Sequence, residues 1–403
     1  MHTPLRPLLT LLLSLALAGS AAADTPPPLA TRLDRVIDQA IADQRIVGTV
    51  VLVAQDGKLV YHRAAGYADR EAQRPMREDA LFRLASMSKT LVSATALALV
   101  DQGKLTLDEP ITRWLPTFRP KLADGREAPI TVRQLLTHTA GLSYGFGDAA
   151  TDPYLQARVS NGMDQPGLSM DENLQRIASV PLLFEPGTRW NYSVATDVLG
   201  AVLIRAGGAP LPTLVERLLT RPLGMAGTGF TVKAPDRLAV PYTDASPAPA
   251  RVDGPRQVHA GEMHFAVDPT RVFDARSFPS GGAGMIGSAK DYVAFLEALR
   301  TGKLPGLKKT TLAQLTSNQL GALAMPTPGL GFTFGASVLL DPELAHTPQS
   351  RGTYAWGGAY GHSWFVDPER RLTVVALTNT FPEGMSGAFP TALRDALYAA
   401  PAP

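Results

Sequence analysis

A serine and a lysine stand three residues apart, at Ser86 and Lys89, directly before the apolar segment Thr90–Gln102. Residues at this spacing share one face of a helix, so the hydroxyl and the amine can meet. A serine hydroxyl becomes a strong nucleophile when a base accepts its proton, and a buried neutral amine can be that base. Such a pair arises by chance in most proteins. The apolar segment behind it, which would bury the lysine, is what favours an active-site nucleophile.

A tyrosine in mid-chain is a candidate for a second proton carrier. The segment Glu185–Ser193 contains a Pro-Gly turn and delivers Tyr192 just before the apolar segment Ala195–Ile204. A phenol beside a cation can exchange a proton with a reacting group. The alternative is a packed aromatic residue whose hydroxyl has a structural partner. Tyr192 alone therefore predicts no role.

A glycine-rich segment, Trp356–Trp364, precedes the strands near the end of the chain. Glycines in such a position let the backbone approach a ligand closely. A backbone N–H near Ala359 can then join the N–H of Ser86 in an oxyanion hole. The alternative is a plain turn between two strands, and only the other two segments favour the catalytic interpretation.

A competing nucleophile is Ser143, because Gly141–Gly145 matches the Gly-x-Ser-x-Gly pattern of α/β-hydrolases. That pattern needs a buried strand before the serine and a helix after it. Here the segment Val132–Leu136, opened by Thr131, has the pattern of a helix instead. We therefore interpret the match as a coincidence.

Histidine and cysteine chemistry are both disfavoured. His138 and His362 are possible bases, but neither lies in a pattern that requires one, and we interpret both as hydrogen-bonded structural residues. No histidine–carboxylate spacing suggests a zinc site. The sequence contains no cysteine, which excludes a thiol nucleophile and disulfides. We therefore expect neither a metal nor a cofactor.

The charge balance argues against a nucleic-acid partner. The 38 basic and 36 acidic residues of the 403-residue chain nearly cancel, and no basic run is present. Nucleic-acid binding needs a concentrated basic face. We expect a small-molecule substrate instead, and the sequence does not indicate an oligomeric state.

The N-terminus has the pattern of a secretion signal over residues 1–23. An apolar core from Leu8 to Ala18 follows a weakly basic start, and Ala21-Ala22-Ala23 supplies small residues at the cleavage position. The alternative, an uncleaved anchor, would need about 20 apolar residues to cross the bilayer. We expect cleavage before Asp24, a periplasmic or secreted product without a membrane anchor, and one domain over 24–403.

The elements that must position these segments point to an α+β fold. We expect an antiparallel sheet built from both termini and flanked by helices, with an all-helical lobe inserted at about 110–260. The main predicted elements are a helix at Leu29–Ile46, a hairpin of Thr49–Val53 and Lys58–Ala65 around Asp56-Gly57, the buried helix Thr90–Gln102, strands at Phe332–Leu340, Ser363–Val366 and Arg371–Leu377, and a helix at Met385–Ala399. The stretch Tyr242–Pro255 is expected to be an irregular loop.

Taken together, the three segments resemble the serine β-lactamase-like superfamily, especially the family VIII carboxylesterases beside the class C β-lactamases and penicillin-binding proteins. The order agrees: Ser-x-x-Lys early, a tyrosine motif in mid-chain and a glycine-rich motif before the last strands. Supporting stretches are also similar, namely Leu135–Leu142, Pro222–Met225 and Ser280–Gly284. The likeness runs from about residue 30 to 398.

The resemblance implies a β-lactamase/transpeptidase-like fold with the site between sheet and helical lobe. It implies that Ser86 is the acylated nucleophile, Lys89 its general base and Tyr192 the partner acid/base. It further places Trp356 and Gly358 in the pocket wall beside Ala359. It assigns supporting positions around the substrate to Tyr144 and Asp197.

The departures from the family pattern indicate the substrate. Class C β-lactamases carry Tyr-x-Asn and Lys-Thr-Gly, whereas this chain has Tyr192-Ser193-Val194 and Trp356-Gly357-Gly358. The missing lysine would have paired with the β-lactam carboxylate, a charge-assisted contact of about 1.5–3 kcal/mol. We therefore expect a carboxylesterase acting on small uncharged esters. The alternatives are a β-lactamase or D-amino-acid peptidase, an acyltransferase, and a non-catalytic penicillin-binding protein.

Overall fold

The computed structural model describes residues 27–148, 150–261 and 263–399. The predicted signal segment 1–23 lies outside the described residues. In chain order the described strands are β1 (Gly48–Gln55), β2 (Lys58–Asp69), β3 (Arg74–Pro75), β4 (Phe82–Arg83), β5 (Tyr242–Thr243), β6 (Ala250–Arg251), β7 (Arg256–Ala260), β8 (Met263–Val267), β9 (Ile286–Gly287), β10 (Leu330–Phe332), β11 (Ser337–Leu339), β12 (Tyr354–Gly358), β13 (His362–Asp367), β14 (Leu372–Thr378) and β15 (Thr380–Phe381).

The described α-helices are α1 (Leu29–Ala42), α2 (Ser88–Asp101), α3 (Val132–Leu136), α4 (Pro153–Gln156), α5 (Met170–Ser179), α6 (Ala195–Gly207), α7 (Leu211–Val215), α8 (Ala289–Arg300), α9 (Lys309–Leu312), α10 (Glu383–Ser386) and α11 (Ala388–Tyr398). Short 3₁₀ segments lie at Ala85–Met87, Ile111–Arg113, Pro235–Arg237, Pro269–Phe273 and Ala313–Leu315, and a π-helical turn at Glu216–Thr220.

An eight-stranded antiparallel sheet combines the two ends of the chain, in the order β10-β11-β12-β13-β14-β1-β2-β3. β1 pairs with β14, with Thr49 opposite Thr378, so the N-terminal and C-terminal strands meet in the middle of the sheet. This confirms the predicted fold class. The β1–β2 hairpin also forms as predicted, and both turn residues, Asp56 and Gly57, have the positive φ that a two-residue turn of this kind requires.

Helices cover both faces of the sheet, which explains why β1 is apolar at successive positions rather than at alternate ones. Val50 and Leu52 pack into the main core together with α2 and α8. Val51 and Val53 face the other way and pack under α1 and α11. The sheet is therefore the middle layer of three.

The helix behind the serine is buried on all sides. Every residue of α2 from Ser88 to Leu99 is buried, as the absence of a polar stripe predicts. α6 packs against both α2 and α3, and its residues Ala195–Leu203 are buried too. Among the described residues no single helix is long and apolar enough to cross a membrane. Within the described part of the chain, α6 and the following segment Leu211–Thr220 pass that test only as a pair, by length and composition alone, and the two are bent by 76° at the break between them.

Three predictions about the order of elements are wrong in detail. The expected single strand Phe332–Leu340 is a hairpin of β10 and β11, because the chain turns at Gly335, which has a φ of 112°. The stretch Tyr242–Pro255 is not simply irregular. Tyr242 is buried, and β5 pairs with both β15 and β6. The stretch 110–260 thus holds the helices α3–α7 followed by short strands rather than helices throughout.

Candidate active site

Ser86 lies on a strained turn between β4 and α2. The residue before it, Ala85, adopts a positive φ of 46°, a conformation that non-glycine residues rarely occupy and that costs about 1–3 kcal/mol. The turn is held at both ends: the Leu84 N–H donates to Met285 O at 2.8 Å, and the Met285 N–H donates to Ser88 Oγ at 3.1 Å. This strained turn presents the Ser86 side chain to a cavity of about 520 Å³.

The lysine three residues on contacts the serine as the helical spacing predicts. Lys89 Nζ lies 3.2 Å from Ser86 Oγ and donates to Gly282 O at 2.8 Å. Its side chain is fully buried, and Nζ lies 4.7 Å from the centre of the Tyr192 ring and 5.3 Å from that of Tyr144. The amine is therefore enclosed by two aromatic rings, the serine and one carbonyl.

Tyr192 reaches the same oxygen from the helical side. Its hydroxyl donates to Ser86 Oγ at 2.7 Å. The backbone before it is fixed by the Asn191 N–H, which donates to His138 O at 2.9 Å, and by the Asn191 side chain, which donates to Leu142 O at 2.9 Å. The structure thus brings Ser86, Lys89 and Tyr192 into one hydrogen-bonded cluster, which is the geometry that proton transfer to and from a serine requires.

The glycine-rich segment forms β12 and the turn after it, and it packs directly on the serine loop. Trp356 and Ala359 line the cavity, and the Trp356 ring lies 5.4 Å from that of Tyr192. Gly358 does not line the cavity. A side chain there would overlap the carbonyl oxygen of Leu84, so the glycine allows β12 to touch the loop that carries Ser86.

Of the two supporting residues, only Tyr144 faces the cavity. Its ring stacks on Phe146, with centres 4.6 Å apart, and burial together with Tyr192 and Asp197 raises the pKa of its phenol well above the usual value. Asp197 is fully buried behind Gly282 and does not line the cavity, so it cannot contact substrate directly. This corrects the expectation that Asp197 lies around the substrate, because it supports the site from behind Gly282.

Asp197 instead fixes the carbonyl that holds the lysine. One carboxylate oxygen accepts from Ser280 Oγ at 2.6 Å and from the Gly282 N–H at 3.0 Å. The carbonyl of the same Gly282 accepts from Lys89. Burial raises the pKa of Asp197, an effect opposed by these two donors and by the nearby Lys89 charge. Asp197 therefore positions Gly282, and Gly282 in turn positions the Lys89 amine.

The competing candidates make their hydrogen bonds outside this cluster, although the His138 ring lies 4.9 Å from that of Tyr192. Ser143 Oγ donates to the carbonyl of Tyr144, and its loop follows the helix α3 rather than a strand. His138 is buried, with Nδ1 3.2 Å from Ser193 Oγ, and burial with the nearby Lys89 charge lowers its pKa well below the usual value. His362 donates through Nε2 to Arg83 O at 2.8 Å, and burial lowers its pKa to about 4. Both histidines make the structural contacts that we expected.

Several wall residues were not identified from the sequence. Phe146, Met163, Met263 and Phe265 all line the cavity and are apolar. They come from two loops and from the β7–β8 hairpin, whose first strand β7 lies at the end of the stretch predicted to be helical. Alternating apolar residues at Val258, Phe265 and Val267 were the available signal for that hairpin.

The fold and the Ser-x-x-Lys and tyrosine cluster define a serine hydrolase of the β-lactamase type. The Beta-lactamase family model matches residues 33–399, and the chain belongs to that family. It is 51% identical to Esterase EstB of Burkholderia gladioli over 376 residues, which cover 92% of this chain and 95% of that protein. It is 33% identical to Protein Rv1367c of Mycobacterium tuberculosis, covering 83% and 86% of the two chains.

A solved structure agrees with the sequence relatives. EstCE1, described as a hydrolase with promiscuous acyltransferase activity, superposes with a TM-score of 0.87 at 44% identity, covering 92% of this chain and 98% of that one. These matches confirm the resemblance to the family VIII esterase branch that the motifs indicated.

Proposed function

We propose that this chain is a serine carboxylesterase that hydrolyses small uncharged esters through an acyl-enzyme on Ser86. The observation that carries the proposal is the simultaneous contact of Ser86 Oγ with Lys89 Nζ at 3.2 Å and with the Tyr192 hydroxyl at 2.7 Å. The esterase relatives, at 51% and 44% identity, support the same reaction class.

In the proposed mechanism, Lys89 in its neutral form accepts the Ser86 proton while Ser86 Oγ bonds to the ester carbonyl carbon. The backbone N–H groups of Ser86 and Ala359 stabilise the oxyanion. The tetrahedral intermediate collapses, and the alcohol leaves with a proton from Tyr192, which the Lys89 ammonium then replaces. Water attacks the acyl-enzyme in the reverse sense, returning the serine proton and releasing the carboxylic acid.

Val194 and Trp356 stand where the class C β-lactamase motifs have asparagine and lysine, and both support an ester substrate over a β-lactam substrate. Val194 occupies the asparagine position, and its side chain is buried in the core, so it offers no amide to a ligand. At the lysine position Trp356 packs between the rings of Tyr192 and Phe332. An aromatic surface there favours an uncharged alkyl or acyl group over a carboxylate.

The test is turnover of p-nitrophenyl acetate by the wild-type protein and by Ser86→Ala and Ser143→Ala. We expect Ser86→Ala to lower kcat by at least about 1000-fold, because the nucleophile acts as a unit with its base. Ser143→Ala, the matched control, should stay within threefold of wild type. Normal turnover by Ser86→Ala would overturn the proposal. A preference for a chromogenic cephalosporin over the ester would favour the β-lactamase alternative.

Acyl transfer to an alcohol is the second candidate activity. EstCE1 is described as having promiscuous acyltransferase activity, and the cavity of the present chain is walled by Trp356, Phe146 and Phe265, which suit an apolar acceptor. Adding an alcohol during ester turnover and measuring the new ester tests this. Intact mass identifies the non-catalytic alternative, since a pure binder would keep a stoichiometric acyl adduct without releasing product.

Export is also a proposal, supported by the signal pattern of residues 1–23. N-terminal sequencing of the protein from a periplasmic or culture fraction should begin at Asp24. A chain that keeps Met1 and stays in the cytoplasm would contradict it.

A further inference from the structure

The β7–β8 hairpin presents two chemically different faces. Residues paired across the two strands lie on the same face of the hairpin. One face therefore carries the pair Val258 and Phe265 and the pair Ala260 and Met263. Val258 and Phe265 are buried, and Phe265 and Met263 line the cavity on which Ser86 opens. The opposite face carries the exposed pair His259 and His264, along with Gln257. The apolar face is therefore directed at the active-site cavity.

Aromatic contacts connect this face to the catalytic cluster. The Phe265 ring lies 4.4 Å from that of Phe146, and Phe146 stacks on Tyr144 with centres 4.6 Å apart. Tyr144 in turn lies 5.1 Å from Tyr192. A backbone hydrogen bond also connects the hairpin to the loop of Phe146, since the His264 N–H donates to Phe146 O at 3.1 Å. The wall is thus held at a defined distance from the reacting atoms.

Among the described residues of this hairpin face, Met263 is the one large apolar side chain that is exposed. It lies at the hairpin end of β8, and 44% of its surface is exposed although it is large and apolar. Exposed apolar side chains at the rim of an apolar cavity mark a surface that a ligand covers. Methionine suits such a position because its unbranched side chain adapts to ligands of different shape.

The direction of proton transfer decides which half of the ester meets the hairpin. If Tyr192 protonates the departing alcohol, the alcohol lies on the Tyr192 side, where Tyr192 and Trp356 pack with the main core. Trp356 contacts the Tyr192 ring directly, with centres 5.4 Å apart, whereas the Phe265 ring is connected to Tyr192 through Phe146 and Tyr144. On this assignment the acyl half, on the other side of the carbonyl carbon from the alcohol, extends towards Phe265 and Met263.

Resting on the esterase function proposed above, we propose that Phe265 and Met263 bind the hydrocarbon part of the acyl group, so that the β7–β8 hairpin sets acyl-chain preference. The substrate class is then esters of linear apolar acids long enough to reach the hairpin. Neither residue touches the reacting atoms, and both determine specificity.

The experiment compares p-nitrophenyl octanoate with p-nitrophenyl acetate, which share one leaving group. We expect Met263→Ala to lower the octanoate-to-acetate ratio of kcat/KM by about 3-fold to 10-fold, the range for losing part of an apolar contact. Met263→Leu should restore the ratio to within twofold. Gln257→Ala, on the outer face of the same hairpin, is the matched control and should not change the ratio. Phe265→Leu, which keeps an apolar side chain at the buried position, should lower it as well.

A second series varies the alcohol in acetate esters, using methyl, butyl and benzyl acetate. The relative rates within this series should be the same in Met263→Ala and wild type. An unchanged octanoate-to-acetate ratio in Met263→Ala and Phe265→Leu would overturn the acyl assignment. So would a change confined to the alcohol series. In both cases wild-type acetate turnover would leave the esterase proposal standing, whereas a wild type that hydrolyses no ester would overturn the two proposals together.

Discussion

Replacing Gly358 by alanine tests whether contact with β12 fixes the position of Ser86, the proposed nucleophile. The new Cβ would overlap the carbonyl oxygen of Leu84, two residues before Ser86, and would lie 3.0 Å from His362 Cδ2. Non-bonded carbon and oxygen atoms need well over 3 Å, so β12 and the serine loop must separate by about 1 Å. A displacement of that size at reacting groups costs about 100-fold in rate.

We therefore expect Gly358→Ala to lower kcat/KM for p-nitrophenyl acetate by about 100-fold. The overpacking should also lower the free energy of unfolding by about 1–3 kcal/mol, measured by urea denaturation. Gly254→Ala is the matched control, because an added Cβ at Gly254 meets no atom within 4 Å. A Gly358→Ala variant within threefold of wild-type kcat/KM would refute the claim that this contact positions Ser86.

Two further predictions concern the proton carrier and a buried histidine. Tyr192→Phe keeps the ring contacts and loses the hydroxyl, so kcat should fall by about 100-fold to 10,000-fold while the melting temperature stays within a few degrees; unchanged kcat would remove Tyr192 from the mechanism. Burial lowers the pKa of His362 from 6.5 to about 4. Between these two pH values the imidazole is therefore protonated in the unfolded chain and neutral in the folded one. The wild type should lose about 3 kcal/mol more unfolding free energy than His362→Gln as pH falls from 6.5 to 4, and equal losses would contradict this.

The contact between Ser86 and Lys89, the proposed nucleophile and base, could be predicted because their relation is local. Ser86 and Lys89 lie one helical turn apart, and the apolar pattern of α2 already implies that the lysine is buried. Tyr192 is 106 residues away, and no spacing rule connects it to Ser86. Only the resemblance to a family joined the two, and the hydrogen bond between them is a result of the tertiary fold.

The wall of the cavity could not be predicted in the same way. Phe146, Met163 and Phe265 carry no side-chain chemistry that distinguishes them from core residues. They line the cavity only because two loops and a hairpin converge there. The positive φ of Ala85 was equally inaccessible, since glycine is the residue that signals such a turn and alanine adopts it here under tertiary constraint.

The way in which β12 and β13 support the serine loop explains how the side chain at position 356 can vary without moving Ser86. Gly358 packs on Leu84, and His362 Nε2 donates to Arg83 O, so both contacts act on the backbone before Ser86. Neither depends on the side chain at position 356, which faces the cavity and contacts Tyr192. A lysine there, as in class C β-lactamases, and the tryptophan of this chain can therefore occupy the same backbone. Ser86 can stay in place while the side chain that faces the cavity at position 356 changes from cationic to aromatic.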